Sequence, residues 1–251
     1  MTNLYADARA HESPEPLPVP TSALSIGAHP DDAEFGAGAT LARWASQGTR
    51  VSMLIVTDGS KGSWDPQVGP QELAETRAAE QRRAAEALGT TGEVVNLGYV
   101  DGEVEYSMDL RRQVCWWIRR LRPAVVLSHD PWRRYMLHPD HRAVGFAAID
   151  GVVAARDHLF FPDQGMDKHR PEALLLWSAD EPDHWEDARP GFDAKIAALL
   201  CHRSQTITTM RDAHSDEAAR ETFVQEMREW SARQGERVAL PLAESFKLIR
   251  P

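Results

Sequence analysis

Cysteine is nearly absent from this chain, which holds Cys115 and Cys201 and no other. Two thiols so far apart exclude a disulfide framework and a cysteine-rich zinc site, so any metal ion must be held by histidines and carboxylates. Basic charge is also in the minority. Lys and Arg number 28 against 38 Asp and Glu, for a formal net charge of −10, which repels phosphate backbones and argues against nucleic acid as a partner. Long apolar runs are missing as well. The densest, 124–127 and 173–177, fall far short of the roughly 20 residues that cross a bilayer and have the length of buried strands, so no membrane span is expected. The first twenty residues carry Asp7, Arg9, Glu12, Glu15 and four prolines. No basic stretch there leads into an apolar one, so a secretory leader is not expected and the chain is assigned to the cytoplasm.

What is present fits an ordinary soluble globular protein: 251 residues, 42% hydrophobic and 26% charged. The Pro-rich residues 1–20 bury little and read as a flexible N-terminal arm, leaving 21–251 as a single domain. Within it, short apolar runs alternate with amphipathic stretches. Strands are expected at 23–28, 51–57, 94–97, 124–128, 174–178 and 245–249. Helices are expected at 33–47, 72–88, 110–121, from 141 onward, and at 193–200 and 216–233, with Gly89 and Pro123 as stops. This alternation predicts an α/β fold, a Rossmann-like three-layer sandwich whose mainly parallel sheet is covered on both faces. Ligands of such sheets bind outside the carboxyl ends of the strands, so chemistry is sought in the loops that follow them.

Two of those loops are rich in histidine and aspartate. Ala28-His29-Pro30-Asp31-Asp32 follows the first expected strand, and His138-Pro139-Asp140-His141 follows the fourth. Zinc accepts imidazole and carboxylate ligands, and a hydrolytic site needs three protein ligands with a fourth position left for water. His29, Asp32 and His141 can supply them if the two strands are neighbours. Another divalent ion such as Fe2+ suits the same donors. Asp31 is then placed to take a proton from metal-bound water as general base, and His138 to stabilise an oxyanion or protonate a leaving amine. Asp140 can hold a ring nitrogen of His138 and raise its pKa. Taken singly, Asp31, Asp32 or Asp140 can equally be a plain helix N-cap. Three histidines and three aspartates gathered in two loops of one sheet edge favour a site.

At these residues the chain resembles the LmbE-like, or PIG-L, superfamily of zinc-dependent de-N-acetylases, which includes deacetylases of mycothiol and bacillithiol biosynthesis. Thr57-Asp58-Gly59, Arg77-Ala78-Ala79-Glu80, Asp101-Gly102 and His202-Arg203-Ser204-Gln205 extend the resemblance from about residue 23 to the end. It implies zinc on His29, Asp32 and His141, Asp31 as base and His138 as acid or oxyanion stabiliser. It also implies that Arg77 and Asp101 bind hydroxyls of a sugar-like substrate. For Arg77 the alternative is a helix-surface ion pair with Glu80 or a neighbour, and for Asp101 a turn. Mycothiol-type members carry a tyrosine two residues before the first histidine of the second motif; here Met136 stands there, with Tyr135 before it. Either Tyr135 takes that part from a shifted backbone, or no phenol does.

The expected function is metal-dependent removal of an N-acyl group, N-acetyl first among them, from a small amino sugar or sugar conjugate. Two histidines and a carboxylate also suit a non-haem Fe(II) oxygenase, although that chemistry usually sits on a β-rich barrel. A dinucleotide module lacks its spacing, because Gly27, Gly36 and Gly38 do not form G-x-G-x-x-G. A catalytically silent sugar-binding relative would need neither Asp31 nor His138. Trp64 reads as a cover for a sugar face or as a loop anchor. His129, Asp130, Trp132 and Arg133 read as pocket rim, and His202 and Gln205 as lining from a late helix. Assembly into a homo-oligomer is left open.

Overall fold

A computed structural model of the protein describes residues 16–251. The expected arm lies outside the described residues up to position 15, and its last part is not free. Leu17 donates its backbone N–H to Glu186 Oε1 at 3.0 Å, and the carbonyl of the buried Pro20 accepts from Thr49 Oγ1 at 2.6 Å.

Seven strands form one sheet: β1 (Ser22–Gly27), β2 (Arg50–Thr57), β3 (Val94–Tyr99), β4 (Val125–His129), β5 (Ala173–Trp177), β6 (His184–Asp187) and β7 (Ala243–Ile249), in the order β3-β2-β1-β4-β5-β7-β6. The first five pair in parallel, while β7 runs antiparallel to both β5 and β6. The helices are α1 (Asp32–Ser46), α2 (Pro70–Ala87), α3 (Met108–Leu121), α4 (Pro139–Ala155), α5 (Phe192–Leu199) and α6 (Glu217–Gly235). Alternate residues of the central strands enter two separate cores, as the two-residue repeat of a strand requires. Leu24, Leu54 and Val126 pack with α3 and α4 on one face. Ala23, Met53 and Leu127 pack with α1, α2 and α5 on the other. The expected three-layer α/β/α arrangement with a mainly parallel sheet is therefore found, with an antiparallel margin that alternation did not announce. The strand β6 was not expected; its four residues include two acids and a histidine, and it is buried through Glu186, which pairs with Arg43 and His184.

The helix α1 carries part of the site and is broken at Ala37 (φ −148°, ψ 15°). A break strands backbone groups on both sides, and two buried charges take them up. Glu244 of β7 accepts from the N–H groups of Ala39 and Thr40 at 3.0 and 2.8 Å, as an N-cap would. Lys195 of α5 donates to the Phe35 carbonyl at 2.8 Å and to Glu244 at 2.6 Å. Both side chains are wholly buried. Glu244→Leu should thus cost about 3–5 kcal/mol, because it leaves an ammonium without its counter-charge in the interior. Urea denaturation reads this, and an unchanged midpoint would contradict the role given to the pair.

Candidate metal centre and active site

The strands β1 and β4 are parallel neighbours with Ile26 opposite Ser128, and the sheet order reverses between them. Their carboxyl ends open into the crevice where α/β sheets bind ligands. The chain leaves β1 through His29-Pro30-Asp31 and enters α1 at Asp32. It leaves β4 at His129 and returns at His138, the residue before α4. Pro139 stands at the first position of α4, where its fixed φ and missing N–H suit a helix start.

These turns bring donor atoms of three residues together. His29 Nδ1 lies 3.2 Å from His141 Nε2 and 3.5 Å from Asp32 Oδ2, while His141 Nε2 is 3.3 Å from Asp32 Oδ1. Tetrahedral donors bonded to zinc at their usual lengths are about 3.3–3.6 Å apart, and these residues approach one another pairwise at close to that spacing, His29 through Asp32 Oδ2 and His141 through Oδ1. Taken with one donor atom per residue, the sets among the described residues that lie mutually within ligating reach are His29, His138 and His141; Asp32, His129 and His141; and His29, Asp101, His138 and Asp140. The second nitrogen of His29 is 3.1 Å from Asp140 Oδ2 and 3.2 Å from Asp101 Oδ1. Burial works to lower the His29 pKa, but Asp101, Asp140 and Asp32 outweigh it and push it up to about 12. Three carboxylates crowded round one imidazole are a field made for a cation, and the donor set fits a divalent one.

Asp31 occupies the N-cap position of α1 in the left-handed region (φ 98°), yet its side chain makes no capping bond. The capping alternative is thus not realised. Its carboxylate is 3.4 Å from Arg77 Nη2, which also donates to the Pro30 carbonyl at 2.6 Å. Its N–H donates to Gln81 Oε1 at 3.1 Å. Burial pushes the Asp31 pKa up to about 6 against the pull of Arg77 and His202. Arg77 donates in addition to the Gly59 carbonyl at 3.2 Å. It does not pair with Glu80, whose carboxylate receives Ser204 N and Oγ at 2.9 and 2.6 Å. Asp101 accepts from Lys61 N at 3.1 Å. Burial would raise its pKa, but His29 and that N–H together hold it below the ordinary value.

The expected bond between Asp140 and His138 is not made. Asp140 is fully buried and turns to His29, Gly102 N (2.7 Å) and Val104 N (3.2 Å). His138, half-buried, leaves its Nδ1 without a partner, and its ring lies edge-on to His29 and stacked on His141. Its pKa is lowered, chiefly by burial and then by the neighbouring His29 and His141, with Asp140 opposing only through space. The physical reason is helical geometry: Asp140 lies beyond the cap, inside the first turn, and points back under His29.

A cavity of about 780 Å3 surrounds these groups. His29, Asp31, Asp32, Arg77, Asp101, His138 and His141 all line it; Asp140 does not. Met136 lines it too, whereas Tyr135 is 88% exposed and does not, so no tyrosine lines the cavity among the described residues. Trp64 lines it while 73% exposed, which sets aside the loop-anchor alternative. Gln205 lines it from a 3-10 turn (Arg203–Gln205) rather than a helix, and His202 is buried behind with Nε2 3.8 Å from Glu34 Oε1. Of the expected rim, Arg133 lines the cavity, whereas Asp130 and Trp132 do not. His129 is no rim residue. It is 2% exposed on the floor, 3.0 Å from Asp32 Oδ2, with burial pushing its pKa down to about 4. Phe35, Trp177, Met227 and Trp230 also form part of the wall, and sequence reasoning did not single them out. A signal was present only for His129 and Trp177, each the last residue of a strand at the ligand-binding edge.

The chain matches the model of the PIG-L family, described as GlcNAc-PI de-N-acetylase, over residues 24–152. It is 35% identical to the diacetylchitobiose deacetylase of Thermococcus kodakarensis over 76% of this chain and 72% of that protein. It is 28% identical to a probable N-acetyl-α-D-glucosaminyl L-malate deacetylase 2 of Bacillus cereus over 76% and 87%. Among solved structures, the N,N'-diacetylchitobiose deacetylase of Pyrococcus horikoshii superposes with a TM-score of 0.82 at 28% identity, covering 92% of this chain and 84% of that one. The matched half holds both histidine motifs and the similarity continues through the rest of the fold, so the chain belongs to the PIG-L family.

Proposed function

We propose that the protein hydrolyses the N-acetyl group of a small amino sugar or sugar conjugate, with a divalent cation, zinc by preference, held by His29, Asp32 and His141. The observation that carries this reading is the convergence of His29, Asp32 and His141 from two loops, their donor atoms approaching pairwise to 3.2–3.5 Å through one or other Asp32 oxygen, at the base of a cavity shared with Asp31 and His138. Zinc in such a site polarises a carbonyl and brings the pKa of water to about 7. The chain's own groups do the rest. Asp31 takes a proton from the attacking water as the carbonyl becomes tetrahedral, and a carboxylate pushed up to about 6 is a better acceptor than an ordinary one. Arg77 holds that carboxylate in place. His138, which lines the same cavity, hydrogen-bonds the developing oxyanion, and the proton that Asp31 has taken from water is passed on to the amine, through His138, as the C–N bond breaks. Acetate and the free amino sugar leave. Asp140 and Asp101 fix the ring of His29, as carboxylates behind metal-bound imidazoles do.

Arg77 and Asp101 also border the cavity and are proposed to meet substrate hydroxyls. Trp64, Phe35 and Trp230 offer flat apolar faces for a sugar ring. The cavity has room for a conjugate larger than one sugar. With this goes a small-molecule substrate met in the cytoplasm; among the described residues no helix is long and apolar enough to cross a membrane. The test is acetate release by the zinc-loaded protein from N-acetylglucosamine, diacetylchitobiose and aryl N-acetylglucosaminides, with and without oxygen. Turnover lost to a chelator, restored by zinc and indifferent to oxygen is the expected result. No acetate from any of them while zinc is bound would overturn the proposal.

The charge around His29 adds a prediction. With its pKa pushed up to about 12 in the cation-free site, His29 stays protonated at neutral pH and must give up a proton before Nδ1 can ligate. Affinity for zinc should therefore rise with pH, by about tenfold per unit between pH 7 and 9, with release of about one proton per ion bound. Calorimetry in two buffers of different ionisation enthalpy counts the proton, and a count of zero at pH 8 would refute the assignment.

A further inference from the structure

We infer that Trp177 and His129 form a hydrogen-bonded relay that turns one oxygen of Asp32, Oδ1, toward the cation, and that His129 is a positioning residue and not a ligand. The inference rests on the reading that His29, Asp32 and His141 hold a divalent ion.

The tautomer of His129 follows from its partners. The Trp177 indole Nε1 lies 3.1 Å from His129 Nδ1. An indole N–H can only donate, so Nδ1 accepts and the proton of the neutral ring sits on Nε2. That nitrogen is 3.0 Å from Asp32 Oδ2, and the Ala28 N–H is aimed at it from 3.3 Å. With Nδ1 accepting from the indole, Nε2 carries the proton and gives it to the nearer, charged carboxylate, so the longer approach of the Ala28 N–H is not a hydrogen bond in this tautomer. Both nitrogens of His129 are thereby spent on protein groups. Asp32 Oδ2 is spent as well, because it also receives His29 N at 2.7 Å. Oδ1 is left, 3.3 Å from His141 Nε2, as the oxygen directed at that donor. The His129 ring further stacks on His141 with centroids 4.2 Å apart and planes 16° from parallel, so it braces two of the three donors.

The fold builds the relay from both sides. His129 and Trp177 are register partners at the carboxyl ends of β4 and β5. Gly36, one helical turn after Asp32 on α1, gives the indole its room, since a Cβ at position 36 would come within 2.5 Å of the Trp177 ring. The helix that supplies Asp32 thus also seats the indole from which the relay starts.

Zinc affinity by chelator competition, the visible absorption of the cobalt-substituted protein, and thermal melting should be measured for wild type, H129L, H129Q and W177F. H129L should bind zinc about 10–100-fold more weakly, the range seen when a group supporting a ligand is removed, still take up one ion at saturation, and show a shifted cobalt band. H129Q, which keeps an N–H donor for Asp32, should recover most of the affinity, and W177F should lose less than H129L. Melting checks that each variant is folded. H129L binding as tightly as wild type, or H129Q no better than H129L, overturns the relay. H129L that takes up no zinc at saturation makes His129 a ligand and overturns it equally. A wild-type protein that takes up no zinc sinks the reading of the site itself, which is a different failure.

Discussion

Asp31→Asn should keep zinc at the wild-type ratio and lose about 10²–10⁴-fold in turnover, the usual share of a general base. The exchange is nearly isosteric, and the Asp31 side chain is not among the proposed ligands, so the binding site for the ion is left alone. It removes the acceptor. The left-handed backbone at this position (φ 98°) tolerates asparagine as well as aspartate, so no strain is added. Arg77 loses its ionic contact at 3.4 Å but keeps the Pro30 and Gly59 carbonyls, which holds the loop. Metal analysis beside a steady-state assay reads the result. Full activity would take Asp31 out of the mechanism, and loss of zinc would make it a ligand.

His141→Ala should fail at the earlier step. Structural zinc is bound with about 10–16 kcal/mol over four ligands, so one donor fewer is worth roughly 3 kcal/mol, a hundredfold or more in affinity. Turnover at micromolar zinc should fall to background with the protein still folded. The His141 side chain is 24% exposed, so imidazole from solution can reach the space left and restore part of both metal and activity. Zinc retained at normal stoichiometry and affinity would contradict the ligand role. The two variants separate the halves of the proposal, since the first keeps the ion and loses the proton transfer while the second loses the ion.

Much of this was legible in the sequence because it is encoded locally. The apolar run 53–56 within Arg50–Thr57 marks a strand buried on both faces, and the helix expected from 141 is found, starting two residues earlier at Pro139. The two histidine motifs offer metal-ligating residue types by composition alone. Other features are decided by partners remote in the chain. Nothing near Ala37 announces a break in α1, because what permits it is Glu244 on β7 and Lys195 on α5. Nothing in His138-Pro139-Asp140-His141 shows that Asp140 serves His29, since that depends on β1 and β4 lying side by side. His129 looked like a loop residue near a motif until the register of β4 and β5 set it against Trp177.

The amino-acid order alone determined which side chains are chemically able to act, namely His29, Asp31, Asp32, His138 and His141, and that each follows a strand. Alternation of apolar segments also determined that those strands share one largely parallel sheet. Only the tertiary structure decided which atoms face one another: His29 Nδ1 toward His141, Asp140 beneath His29, Tyr135 out in solvent and Met136 inward. The physical reason is that periodicity and composition report whether a residue is buried and what it can bind. Which partner it meets is settled by strand order, register and the turn of a helix, and these are properties of the whole packed sheet.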